Sequence, residues 1–318
     1  MDKIKFSTTD LAIVPLLFGG NVFGWTLDQA ASFSILDEFI DKGFNAIDTA
    51  NNYSHWVPGN VGGESETIIG NWLHQHGNRD KLVLMTKVGG RFGYDSKPNT
   101  KGSYIKEQVE HSLRRLQTDY IDVYQTHYDD EETPVEETLR SYEDLIEAGK
   151  IRYIGASNIS PARFVESLDN AAERKAPSYV SLQPEYNLFD RTKFEHLYQA
   201  IAKERNIAVI PYYALASGFL SGKYTSAASF DVTVRGKDIK DKYWNERGQR
   251  IIRTLHELSL KYNVNPSAIA LAWLLHQETI VAPIASATKS AHIDAFVDAL
   301  TLKLQQEDLE LLNESSTY

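Results

Sequence analysis

Residues 122–157 read DVYQTHYDDEETPVEETLRSYEDLIEAGKIRYIGAS. Two short apolar runs, at 122–126 and 153–157, flank a segment in which Val135, Leu139, Tyr142 and Ile146 recur at helical spacing. Thr133-Pro134-Val135-Glu136 reads as a helix start, a capping-box pair with proline at the first helical position. Strand, helix and strand in that order make a βαβ unit. Runs this short, without polar alternation, suit strands of a parallel sheet covered on both faces.

The same alternation extends in both directions. Further strands are expected at 16–19, 46–48, 82–87, 181–184, 208–211 and 280–283. Between them, Phe33, Leu36 and Ile40 fall at helical spacing with Gly43 as a C-terminal cap, and Ile105, Val109, Leu113 and Leu116 line another helix. Ser160-Pro161 opens the next helix. Eight strands alternating with helices predict an α/β fold, a (β/α)8 TIM barrel, with residues 4–13 as an N-terminal β-hairpin closing its bottom. The rival is a doubly wound open sheet, but no G-x-G-x-x-G follows any strand. The whole chain, 1–318, reads as one barrel domain, with 225–247 as a long loop and 306–318 as one short helix.

The formal net charge of -10 makes nucleic acid a poor partner, because phosphate recognition needs a basic stripe. The absence of cysteine excludes disulfides and thiolate chemistry. Met1 to Asp10 are too polar for a signal peptide, and no apolar run approaches about 18 residues, so a cytoplasmic protein without a membrane span is expected.

Active sites of such barrels lie at the C-terminal ends of the strands. The second strand ends in Asp48 with Tyr53 just beyond it, the third ends in Lys87, and the fourth is followed by His127. Taken singly, these are a turn residue, a surface tyrosine, a snorkelling lysine and a structural histidine. Together they fall at equivalent ends of successive strands. A phenol ionises near pH ~10, and a neighbouring ammonium lowers that value. Lys87 is expected to tune Tyr53 in this way, with Asp48 orienting Lys87 and His127 polarising a substrate carbonyl.

The segments Gly43-Phe44-Asn45-Ala46-Ile47-Asp48-Thr49-Ala50 with Tyr53, Met85-Thr86-Lys87 and Tyr124-Gln125-Thr126-His127-Tyr128-Asp129 resemble the aldo-keto reductase signature. The resemblance continues through Gly155-Ala156-Ser157-Asn158, Gln183-Pro184-Glu185-Tyr186-Asn187 and Tyr212 to Tyr224, in order along almost the whole chain. It includes the potassium-channel beta-subunit-like branch. It implies a barrel that binds NADPH (or NADH) in extended form and reduces aldehydes or ketones, with Asp48, Tyr53, Lys87 and His127 as the catalytic tetrad. It further implies nicotinamide contacts from Ser157, Asn158 and Gln183, stacking by Tyr212, and cofactor contacts from Asn21 and Asp48. Leu215 and Ser217, with Lys223 downstream, resemble the pyrophosphate segment, and Arg235 the arginine of the adenosine end.

Ser286, Thr288, Lys289 and His292 stand where the family binds the 2′-phosphate of NADP, at a helix start. Many members carry arginine in place of Thr288 and glutamine in place of His292; Lys289 is the candidate to supply the charge instead, and the strength of the preference for NADPH over NADH is not legible in the sequence. Trp25, Trp56 and Tyr128 are expected to line an open substrate pocket, because the chain lacks the family's long C-terminal loop. The alternative function is a cofactor-binding regulatory subunit of the same fold. A glycosidase using Asp48 and Asp129 leaves Tyr53, Lys87 and Gln183 without roles, and His74 and His76 are spaced wrongly for one helical face. Physiological substrate and oligomeric state are not legible in the sequence.

Overall fold

A computed structural model of the chain describes residues 1–93, 96–230 and 236–318. Strands β1 (Ile4–Lys5) and β2 (Ala12–Ile13) form an antiparallel hairpin. Eight parallel strands follow: β3 (Leu17–Gly19), β4 (Ala46–Asp48), β5 (Val83–Val88), β6 (Ile121–Thr126), β7 (Ile151–Ser157), β8 (Tyr179–Gln183), β9 (Ala208–Val209) and β10 (Ile284–Ala285). They are hydrogen-bonded in the order β10-β3-β4-β5-β6-β7-β8-β9. β10 and the residues before it close the ring: the Val281 amide donates to the Val209 carbonyl (2.9 Å), and the Ile284 amide to that of Pro211 (2.9 Å). The fold is the expected (β/α)8 barrel with its N-terminal hairpin.

The period of two along each strand sorts the barrel interior into layers. Leu17, Ala46, Val83, Met85, Val123, Ala208, Ile210, Ala282 and Ile284 form one apolar cluster, into which the hairpin sends Phe6, Leu11 and Ile13. In phase with those residues but one step further along the strands stand Gly19, Asp48, Lys87, Gln125, Ser157, Gln183, Tyr212 and Ser286. The interior is therefore apolar below and polar at its C-terminal mouth. The outward strand faces pack against the helices in a second, larger core.

Four expectations are corrected. The last strand lies at 284–285 rather than 280–283, because Pro283 has no amide to donate and only its carbonyl pairs with β3, accepting from Leu17 at 3.0 Å. The capping box at Thr133 does not form. Its hydroxyl donates to Asp130 (2.7 Å), and the Glu136 carboxylate accepts from Arg140 (2.6 Å). In the first long helix, Gln29–Asp41, the buried stripe is Ser32, Ile35, Leu36 and Phe39, with Phe33 and Ile40 at its margins. Residues 225–247 are not a structureless loop. A 3-10 turn at Ala227–Phe230 stacks Phe230 on Tyr224, and the helix Gly236–Tyr243 buries Ile239 and Tyr243, one turn apart.

Candidate active site

The polar layer converges on Lys87. Its Nζ donates to Asp48 Oδ2 (2.6 Å), to the Thr49 carbonyl (2.8 Å) and to the Tyr53 hydroxyl (2.9 Å). An ammonium has three protons, and these partners use all three. Lys87 is 0% exposed and Asp48 1%, so this ion pair sits in the barrel itself. The other carboxylate oxygen, Asp48 Oδ1, accepts from Gln125 Nε2 (2.8 Å) and Gln183 Nε2 (3.1 Å). Tyr53 reaches this centre from the loop after β4, and its ring lies 6.0 Å from that of His127 and 6.1 Å from that of Trp56.

Burial decides the electrostatics. It pushes the Tyr53 hydroxyl well above the ordinary phenol value, and the negative charge of Asp48 adds to the rise. The net shift of Tyr53 is therefore upward where a lowering was expected, and the phenol holds its proton at neutral pH. Burial also pulls Lys87 below an ordinary lysine, against the attraction of Asp48. His127 is held well below its usual value by burial, then by the charge of Lys87 and by His55, so it is a neutral imidazole. Its Nδ1 is buried without a partner, at the face where Gly90 leaves room. A Cβ on Gly90 would stand 2.6 Å from that nitrogen.

Beside this centre, the residues expected around nicotinamide bond to one another. Ser157 Oγ donates to the Gln183 carbonyl (2.8 Å), and Asn158 Nδ2 to the His127 carbonyl (2.9 Å). The Tyr212 hydroxyl donates to Asn158 Oδ1 (3.1 Å). Asn158 itself has φ +40°, a left-handed conformation that asparagine tolerates.

Leu215 and Ser217 lie in a curl where Ala216, Ser217 and Gly218 are consecutively left-handed (φ +47°, +57° and +94°). Within it the Ala216 amide donates to the Tyr213 carbonyl (2.7 Å) and the Gly218 amide to the Leu215 carbonyl (2.8 Å). Lys223 closes over it: a Cβ on Gly218 would stand 3.1 Å from its ammonium. Across the mouth, Ser286 Oγ bonds to the Gly19 carbonyl (2.7 Å) and Asn21 Oδ1 (2.6 Å). The Thr288 amide donates to His292 Nδ1 (3.2 Å), at the start of the helix Ser290–Thr301. Burial and then the charges of Lys289 and Lys223 hold the His292 imidazole below its usual value. Neither lysine pairs with a carboxylate among the described residues. Arg235 lies outside the described residues.

Trp25 and Trp56 meet edge to face at 5.5 Å, and Tyr128 lies 4.9 Å from the His127 ring. With exposed Phe92 and Tyr213 nearby in sequence to the strand ends, they form an aromatic rim. Asp129, the other carboxylate considered for acid chemistry, is clamped by Arg163 at 2.8 and 3.0 Å. The sequence reading missed Gln125. It lies two residues before His127 on a strand buried on both faces, and a polar residue in that phase was the available signal.

The mouth of this parallel barrel thus carries a buried lysine bridged to an aspartate and a tyrosine, beside a left-handed curl. The family model described as the aldo/keto reductase family matches residues 15–317, and the chain belongs to that family. It is 31% identical to "Uncharacterized oxidoreductase YrpG" of Bacillus subtilis (strain 168), over 99% of this chain and 95% of that protein. It is 32% identical to "Aldo-keto reductase YhdN" of the same organism, over 93% and 86% of the two chains. It is 30% identical to "Norsolorinic acid reductase" of Aspergillus flavus, over 99% and 81%. The chain is therefore an oxidoreductase of the aldo-keto reductase family.

Proposed function

We propose that this oxidoreductase is a cytoplasmic, single-domain NADPH-dependent carbonyl reductase that converts aldehydes or ketones to alcohols. The observation that carries the reading is Lys87 Nζ, held at 2.6 Å from Asp48 Oδ2 and 2.9 Å from the Tyr53 hydroxyl at the barrel mouth. NADPH, when bound, would supply the hydride that the carbonyl carbon takes up. Tyr53 gives its proton to the carbonyl oxygen, which yields the alcohol. The Lys87 ammonium donates to the phenolic oxygen and stabilises the charge left there as the proton departs. Asp48 keeps Lys87 charged and aimed, and the neutral His127 donates a hydrogen bond that orients the carbonyl.

Ser157, Asn158, Gln183 and Tyr212 fit the nicotinamide end, a preformed polar wall against an aromatic ring. Lys223, Lys289 and His292 fit the phosphates, because they stand at a left-handed curl and a helix start without a described carboxylate to neutralise them. Trp25, Trp56 and Tyr128 form the substrate side.

Titration with NADPH and with NADH, read by quenching of tryptophan fluorescence, followed by a panel of aldehydes and ketones, tests the reading. The expected result is NADPH binding tighter than NADH and carbonyl-dependent oxidation of the bound cofactor. Binding without turnover on any carbonyl would favour a cofactor-binding regulatory subunit. Absence of binding by either cofactor would overturn the proposal.

A further inference from the structure

Gln125 is 0% exposed, in the polar layer beneath the mouth, and it meets two groups of the proposed site at once. Its Nε2 donates to Asp48 Oδ1 at 2.8 Å, and its Oε1 accepts from Gln183 Nε2 at 3.0 Å. Gln183 Nε2 also donates to Asp48 Oδ1 at 3.1 Å. Both protons of the Gln183 amide group are thereby turned inward. With both protons committed to Asp48 and Gln125, Oε1 is the group left on the other side of that amide. Room for the Gln125 stem comes from Gly155 on β7. A Cβ there would stand 3.0 Å from Gln125 Cγ and 2.5 Å from Ser181 Oγ.

We infer that Gln125 is a positioning residue that couples the two halves of the site, holding Asp48 against Lys87 while it fixes which face the Gln183 amide presents to the nicotinamide carboxamide. The inference rests on the carbonyl-reductase reading above. Donation to Asp48 Oδ1 leaves Oδ2 for Lys87 alone, which sets the angle from which Lys87 meets Tyr53. Acceptance from Gln183 stops that amide from turning over and presenting N–H where a carbonyl acceptor is needed. A side chain that only filled space would do neither.

Two variants separate the functions. Gln125→Met fills nearly the same volume and removes both hydrogen bonds. Its kcat should fall about tenfold with the carbonyl KM little changed, and the cofactor Kd should rise about fivefold, corresponding to the loss of single buried hydrogen bonds. Gln125→Glu keeps an acceptor for Gln183, and only its protonated form can donate to Asp48. Cofactor Kd should then stay within about twofold of the parent at the acid end, where turnover should recover as pH falls.

Both variants are first compared with the parent by thermal unfolding. If Gln125→Met does not fold, the pH response of Gln125→Glu carries the test. Parental kcat and cofactor Kd in a folded Gln125→Met would overturn this inference and leave the carbonyl-reductase reading standing. A parent protein that binds neither NADPH nor NADH would overturn that reading and this inference with it. A parent that binds cofactor without turnover still allows the Kd comparison to decide whether Gln125 orients Gln183.

Discussion

The Tyr53 hydroxyl accepts a hydrogen bond from Lys87, and Tyr53→Phe removes the hydroxyl while keeping the ring against Trp56 and His127. Turnover should fall by about 100-fold or more, with NADPH affinity within about twofold of the parent, as measured by steady-state rates beside fluorescence titration. Lys87→Met acts differently, because it leaves a buried carboxylate without its charged partner. It should destabilise the protein by about 3–5 kcal/mol as well as abolish turnover, which chemical unfolding would show. Lys289→Ala should weaken NADPH by about tenfold and NADH by less than about twofold, since only NADPH carries a 2′-phosphate to meet that ammonium. Equal losses of both cofactors would remove Lys289 from phosphate recognition.

Elements position these groups through close contacts that have no spare volume. The helices Glu64–His76 and Gly102–Leu116 touch at Gly70, where a Cβ would stand 2.0 Å from the Arg115 carbonyl. Backbone cannot yield as a flexible side chain can, so Gly70→Ala should force the helices apart and cost about 1–3 kcal/mol, read as a lower midpoint in urea. The neighbouring ion pair of Arg115 with the buried Glu66 (2.7 Å) would be disturbed with it. Strand and helix positions were legible because their apolar periods are local. The element at Gly236–Tyr243 was not, because its only apolar anchors, Ile239 and Tyr243, gain meaning from packing of the segment onto the barrel flank, where Tyr243 stacks on Phe219 at 5.3 Å.

For the whole molecule, the hairpin is the floor of the barrel. Phe6 is 0% exposed in the lower apolar layer, and Phe6→Ala should cost about 3–5 kcal/mol in thermal or chemical unfolding, without touching the mouth. Stability should also depend on His127. Its folded-state pKa is depressed, so below about pH 6.5 the unfolded chain takes up a proton that the folded one resists. The stability is full above that pH and is lost as pH falls below it. His127→Gln should flatten this acid-side slope, measured as Tm against pH.

The order of strands and helices, the hairpin, and the four ionisable residues at strand ends were all readable in the sequence, because hydrophobic period and position at a strand terminus are properties of neighbours along the chain. Which hydrogen bonds those residues make was decided only by closure of the barrel. Asp48, Gln125 and Gln183 come from three strands, separated by 77 and 58 residues, and meet within 3.1 Å because the barrel turns one alternating face of each strand inward. The direction of the Tyr53 shift was decided there too. A neighbouring lysine is visible in sequence, but the desolvation that outweighs it exists only once the mouth is enclosed.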